Sequence, residues 1–190
     1  MVGFGKTGGR LTVVQGGRGR LARLLAVDLD GLGRGPMRLG SREALAFAHA
    51  EAAGMGLVVV TAADAAREPY AIGLGAAAVT VLPDGPVEND LTRGQVRADR
   101  LVAFCREQGV PLRDVAVIAC RPWDCPMLLE VGMAVALETA GYDACSAADA
   151  VFPARGEGGL AAAVEAVISG LDRLPKAPVR PSPARSHPYR

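Results

Sequence analysis

Residues 23–31 read RLLAVDLDG, an apolar run of strand length that stops at two carboxylates set two apart and a glycine. RLLAVD (23–28) suits a buried strand, because it is apolar on both faces and turn chemistry ends it. The rest of the chain can be placed around that run. GLVVVT (56–61) is a second strand, β-branched and apolar on both faces, as a central parallel strand should be. AAVTVL (77–82) is a third, VAVIAC (115–120) a fourth, MAVAL (133–137) a fifth and DAVFP (149–153) a short sixth. Helical patterns lie between them. In SREALAFAHAEAAG (41–54) Ser41 is a candidate N-cap, Leu45, Ala48 and Ala52 share a face, and Gly54 ends the helix. Ala98, Leu101, Phe104 and Cys105 trace a helical stripe between Val96 and Gln108. PMLLEVG (126–132) is a short helix opened by Pro126, and GGLAAAVEAVISGL (158–171) is the last. Strands joined by helical crossovers predict a three-layer α/β/α, Rossmann-like parallel sheet.

Bulk properties narrow the function. A chain of 190 residues suits one domain with a full core, and with 4% aromatic residues that core must be mostly Ala, Val and Leu. No apolar run approaches the roughly 20 residues of a membrane span. The N-terminus lacks the apolar stretch of a secretory signal, so a cytoplasmic protein is expected. Four scattered cysteines, with no CxxC and only His49 and His187 as imidazoles, argue against structural zinc. The net charge of +1 is uneven: residues 1–20 carry +4, residues 171–190 another +4, and 21–170 carry −7. Such an acidic body disfavours nucleic acid. The first twenty residues hold seven glycines without periodicity, and LPKAPVRPSPARSHPYR (174–190) is proline-rich. Both read as flexible ends around a domain at 21–172. GKT at 5–7 is not a phosphate loop, since that motif needs an earlier glycine after a buried strand.

In parallel sheets of this kind reactive groups gather at the carboxyl ends of the strands. Asp28 and Asp30 follow the first strand, Thr61 ends the second, and Cys120 through Asp124 follow the fourth. Arg97 is read as opening the helix that leads into the fourth strand. A carboxylate nucleophile, Asp28, with a second carboxyl, Asp30, as acid and base, is one means of cleaving a phosphate ester. A hard cation such as Mg2+ would be needed to screen an anionic substrate from an anionic nucleophile. Thr61 can donate to a phosphoryl oxygen, Arg97 can neutralise charge, and Asp124 can hold the metal directly or through water. An Asp-Gly pair after a strand is also an ordinary turn, so the DxDG motif gains meaning only from these companions.

With those residues in place, the sequence resembles the haloacid dehalogenase superfamily. AVDLDGL is similar to its first motif, VVVT to its second, Arg97 stands where its third-motif Lys or Arg falls, and VAVIACRPWDCPML is similar to its fourth. The resemblance covers roughly residues 22–170. It is strongest to the phosphatases of 3-deoxy-manno-octulosonate 8-phosphate and the related C-terminal domain of sialic-acid cytidylyltransferases. It implies a fold without a large cap domain, tetramers in which a neighbour closes the site, Mg2+ held by Asp28, the Asp30 carbonyl and Asp124, and a small phosphorylated metabolite such as a sugar acid phosphate as substrate. About 35 residues separate Thr61 from Arg97, too few for a cap domain.

The chain departs from that pattern where the metal should sit. The family's fourth motif usually reads Gly-Asp after the strand with another Asp four residues later, and here those positions are Ala119, Cys120 and Asp124. A neutral thiol is a poor ligand for Mg2+, and Arg121 adds positive charge. Thr61 is followed by Ala62-Ala63, where relatives often carry Gly-Arg. Two readings stay open: an aspartyl-phosphate phosphatase, and a degenerate domain kept for oligomerisation or regulation. A third, thiol chemistry at Cys120 with a pKa lowered by Arg121, lacks a general base. Trp123 is expected to pack against a loop or a neighbouring subunit, His49 to be a surface or packing residue, Leu32–Gly40 to act as a flap, and 83–94 to be a polar loop.

Overall fold

The computed structural model describes residues 4–7, 10–13, 22–28, 39–61, 79–83 and 89–170. Strands β1 (Phe4–Thr7) and β2 (Arg10–Val13) pair as an antiparallel hairpin, in a segment where the glycine-rich sequence predicts no regular element. The main sheet holds β3 (Leu24–Asp28), β4 (Gly56–Thr61), β5 (Val79–Pro83), β6 (Val115–Ala119), β7 (Met133–Leu137) and β8 (Ala150–Phe152). Its spatial order is β5-β4-β3-β6-β7-β8, and every pairing is parallel. All six expected strands are present, and RLLAVD supplies the central one. The reason is visible in burial: each residue of β3 and β6 is buried, so both faces are covered and an unbroken apolar run is stable there.

Helices α1 (Ser41–Ala52), α2 (Asp90–Gln108), α3 (Cys125–Glu130), α4 (Gly141–Ala147) and α5 (Gly159–Ser169) form the outer layers. Ala46, Phe47 and Ala50 of α1 join Leu160, Ala163, Val164 and Val167 of α5 against Leu25, Val27, Ile118 and Val135. Ala98, Leu101 and Cys105 of α2, Met127 and Leu128 of α3 and Ala144 of α4 pack with Leu24, Ala26, Val117 and Ala136. Alternate residues of each strand thus serve opposite layers, the period-two rule of strands. Full burial of side chains such as Phe47, Leu101 and Leu160 contributes about 1.5–3 kcal/mol each.

Three boundaries differ from the sequence reading. Helix α2 begins at Asp90, because Asn89 accepts the Thr92 amide proton at 3.0 Å as an N-cap. Residues 90–94 are therefore helical rather than loop, and Arg97 sits two turns into α2 instead of opening it. Gly40, not Ser41, caps α1, and Glu43 reaches back to its N–H at 2.9 Å. Helix α4, GYDACSA, was not foreseen, since seven residues carry too short an apolar pattern to reveal a face. No cap domain is present: 12 residues connect β3 to α1 and 17 connect β4 to β5, each too few to fold alone. Among the described residues, no helix is long and apolar enough to cross a membrane. The tail 171–190 and the flap 32–38 lie outside the described residues.

Candidate active site

Asp28 is the last residue of central strand β3 and is fully buried. Opposite it in β4 stands Val60, so Thr61 ends its strand one step further along the same sheet edge. Asp124 arrives from the next strand, β6, through the tight turn Pro122–Asp124. Its Oδ2 accepts the amide protons of Cys120 at 3.1 Å and Arg121 at 3.0 Å, which folds the carboxylate back over the strand terminus. Arg97 comes down from α2. Its Nη1 donates to Asp28 Oδ1 at 3.0 Å and to Asp124 Oδ1 at 3.1 Å, and all three side chains are excluded from solvent.

Local sequence explains how α2 reaches so far. A side chain at Gly94 would collide with the Trp123 carbonyl, so glycine lets α2 press on the Pro122–Asp124 turn one helical turn before Arg97. Trp123 then carries two cations: the guanidinium carbons of Arg93 and Arg121 lie 5.2 Å and 5.6 Å from its ring centroid. Arg93 also pairs with Asp90 at 2.9 Å. Trp123 therefore packs on residues of its own chain beside the site, in line with the packing role read from sequence.

The electrostatics follow from burial. Desolvation pushes the Asp124 carboxyl above the usual carboxylate range, and the Arg97 charge, with bonds from Asp28 and the Cys120 and Arg121 amides, acts against that rise. Two carboxylates share one guanidinium, leaving the cluster short of positive charge. Cys120 is different. Burial first, then the Asp28 and Asp124 charges, push its thiol well above the ordinary value, outweighing Arg121 and Arg155. The expected lowering of its pKa by Arg121 is thus overturned: burial favours the neutral thiol. Its side chain belongs to the apolar cluster with Val27, Ile118, Leu137 and Leu160.

Of the residues singled out by sequence, the fold brings Asp28, Arg97 and Asp124 together. Asp30 and the Thr61 side chain lie outside the described residues. A pair that sequence reading missed lies within electrostatic reach of Cys120. Arg155 grips Glu43 with two bonds, Nε to Oε1 at 2.6 Å and Nη2 to Oε2 at 2.7 Å. Burial alone would raise the Glu43 carboxyl, but the Arg155 and Gly40 bonds and the Arg155 charge bring it below the usual range. The clue available was Glu43 three residues past Gly40, the spacing of a carboxylate closing a helix start. His49 is a surface residue, as expected, but it meets a carboxylate that the sequence did not suggest, Glu165 at 2.8 Å between α1 and α5.

The donor chemistry can be set against a hard cation. Asp28 and Asp124, both buried, offer carboxyl oxygens of the kind Mg2+ prefers at the ends of β3 and of the turn after β6. They fit such an ion with one carboxylate fewer than the three-carboxylate pattern, and Cys120 adds none. No cluster of three or more His, Cys, Asp or Glu suited to a metal occurs among the described residues.

No protein-family model matches the chain, and no curated protein matches it in sequence. Solved structures do. The 3-deoxy-D-manno-octulosonate 8-phosphate phosphatase of Moraxella catarrhalis, crystallised with magnesium, phosphate and KDO, superposes with a TM-score of 0.60 at 18% identity, over 78% of this chain and 86% of that one. The cobalt-bound form of the corresponding phosphatase of Haemophilus influenzae gives 0.61 at 16% identity, over 79% and 89%. A haloacid dehalogenase-like hydrolase of Bacteroides thetaiotaomicron gives 0.62 at 14%, over 77% and 99%. With the strand order, the site at the β3 and β6 termini and these superpositions together, the chain has the haloacid dehalogenase-like fold in its form without a cap domain.

Proposed function

We propose that this chain hydrolyses phosphomonoesters of small metabolites, with Asp28 as the nucleophile. The observation that carries the reading is the buried Asp28 carboxylate at the end of the central strand, held by Arg97 beside Asp124. A carboxyl group buried at that depth against a guanidinium and a second carboxyl is costly to maintain unless it serves chemistry. In this mechanism an Asp28 oxygen attacks phosphorus, the ester P–O bond breaks, and the leaving oxygen takes a proton from Asp30. Asp30 then removes a proton from water, whose oxygen attacks phosphorus and releases phosphate and the Asp28 carboxylate. Arg97 holds Asp28 in place through its Nη1 bond, and the Thr61 hydroxyl donates to a phosphoryl oxygen. Asp28, the Asp30 main-chain carbonyl and Asp124 would hold Mg2+. Bound there, such an ion supplies the positive charge that lets an anion approach an anionic nucleophile. The Moraxella phosphatase, with its magnesium, phosphate and KDO, supports a sugar acid phosphate as the substrate class. Tetramer formation and a cytoplasmic setting belong to the same reading.

A second reading has its own observation. By the motif resemblance Cys120 stands where relatives carry a metal carboxylate, and its buried thiol adds no oxygen ligand, which favours a domain that keeps the fold for assembly or regulation. One experiment separates the two. The purified chain is incubated with MgCl2 and p-nitrophenyl phosphate, beside Asp28→Asn. Turnover in the parent that falls at least about a thousandfold in the variant supports hydrolysis, as expected when a nucleophile is removed. Absence of turnover in both the parent and Cys120→Asp leaves the assembly reading standing.

A further inference from the structure

We infer that Arg93, Arg121 and Trp123 form a subsite for a carboxylate of the substrate, beside the phosphoryl centre. The inference rests on the phosphomonoesterase reading above and names the residues that select the rest of the substrate. The guanidinium carbons of Arg93 and Arg121 lie 5.2 and 5.6 Å from the Trp123 ring centroid, so cations from two separate elements converge on one indole. Topology sets this cluster beside the catalytic residues. Helix α2 returns from the end of β5 to the start of β6, so its first turns stand at the carboxyl edge of the sheet, where Asp28 ends β3. Arg93 lies four residues before Arg97 on one face of α2, a single turn farther out than the guanidinium that holds Asp28 and Asp124. Arg121 and Trp123 come from the turn that carries Asp124, and the Arg121 amide donates to Asp124 Oδ2 at 3.0 Å. The chemistry of the cluster is that of an anion receptor. Nε of Arg93, Nε of Arg121 and Nε1 of Trp123 are N–H donors shielded from water, while the three residues as wholes are half-buried and within a ligand's reach. Like charges gathered on one ring repel, and the ring's attraction for each is modest. Asp90 answers Arg93 at 2.9 Å, which leaves one positive charge in excess within this group. A singly charged carboxylate neutralises it, matches the planar guanidinium forks and lays its carbon skeleton along the indole.

Two non-hydrolysable ligands test this on the whole chain in the presence of MgCl2: 4-phosphonobutyrate, which carries a carboxylate, and n-butylphosphonate, which ends in a methyl group. Calorimetry should find 4-phosphonobutyrate bound at least about tenfold more tightly, because it adds hydrogen bonds between charged groups. The emission of Trp123, the chain's single tryptophan, should respond to 4-phosphonobutyrate more strongly than to butylphosphonate at matched saturation. Arg93→Gln combined with Arg121→Gln should bring the two affinities within about twofold, a ratio that a purely structural role would not move. Arg121→Lys, the gentler change, keeps the charge but loses the fork and should retain part of the preference. Equal affinities in the parent, a silent indole, or a preference that survives the double substitution overturns the inference, and the first two need no variant. If neither ligand binds up to about 10 mM, the inference falls together with phosphoryl binding. Turnover of p-nitrophenyl phosphate without the preference sinks the subsite and keeps the hydrolase; the preference without turnover keeps the subsite and sinks the hydrolase.

Discussion

Replacement of Arg97 by methionine is the sharpest probe of the buried cluster. The guanidinium bridges Asp28 and Asp124 at 3.0 and 3.1 Å, and all three side chains have zero exposure. Methionine fills much of the same volume but carries no charge, so both carboxylates lose their counterion at once. Removing one partner of a buried ion pair costs about 3–5 kcal/mol, because the remaining charge stays desolvated. Protonation offers partial relief. Each pKa unit of further rise costs about 1.4 kcal/mol at a pH where the group is forced to ionise. The direction in pH follows from linkage. The Asp124 carboxyl is already raised in the folded chain by desolvation, and loss of Arg97 raises it more. A group raised on folding contributes stability that is present below its unfolded pKa and is lost as pH climbs through the folded one. The deficit of Arg97→Met should therefore be small near pH 4 and grow toward pH 8, reaching about 4 kcal/mol. Urea unfolding followed by fluorescence suits the measurement, since Trp123 is the chain's single tryptophan and sits against the same turn. Arg97→Lys, which restores a point charge, should recover more than half of the loss. A deficit under about 1 kcal/mol, or one equal at pH 5 and pH 8, refutes the account of a shared buried counterion.

Thiol labelling at pH 8 should modify Cys125 and Cys145 in the folded chain, both half-buried, while Cys105 and Cys120 react only on unfolding. Burial pushes Cys105 up to about 11 and Cys120 well above its ordinary value, so rapid native modification of all four would contradict the burial. Glu43→Gln should destabilise by about 1–3 kcal/mol at pH 7, by removing the charge from the paired hydrogen bonds that Arg155 donates. Glu43 is lowered on folding, so its contribution is present above the unfolded pKa and fades as pH falls through the folded one. Parent and variant should converge near pH 3, which thermal melts across pH would show.

The sheet was legible in the sequence because parallel strands buried on both faces leave continuous apolar runs, and all six such runs became strands. Asp28 and Asp124 could be found because polar residues that end apolar runs stand out. The atoms that make the site were not legible. Nothing in the run TRGQVR tells that Gly94 lets α2 press on the Trp123 carbonyl and so delivers Arg97 to two carboxylates. That contact joins distant segments, and periodicity is a local signal. Arg121 looked like a neighbour able to activate Cys120, but a charge counts for less than the loss of water around a wholly buried thiol. Glu43 and Arg155 lie 112 residues apart and pair only once α1 and α5 lie side by side.

The spatial order of the sheet also bears on how the chain acquires its chemistry during synthesis. β3 bonds to β4 on one edge and to β6 on the other, so within the sheet the first and second halves of the polypeptide meet along the β3–β6 seam. Leu24 pairs with Val115 across that seam, a closure of high sequence separation and hence slow. Asp28 belongs to the early half, Arg97 and Asp124 to the late one. A nascent chain released before α2 therefore holds the Asp28 carboxyl without its Arg97 partner, and the cluster of Asp28, Arg97 and Asp124 assembles only when the halves zip. Co-expressed fragments split between β5 and α2 would regain the site only by reassembling that joint.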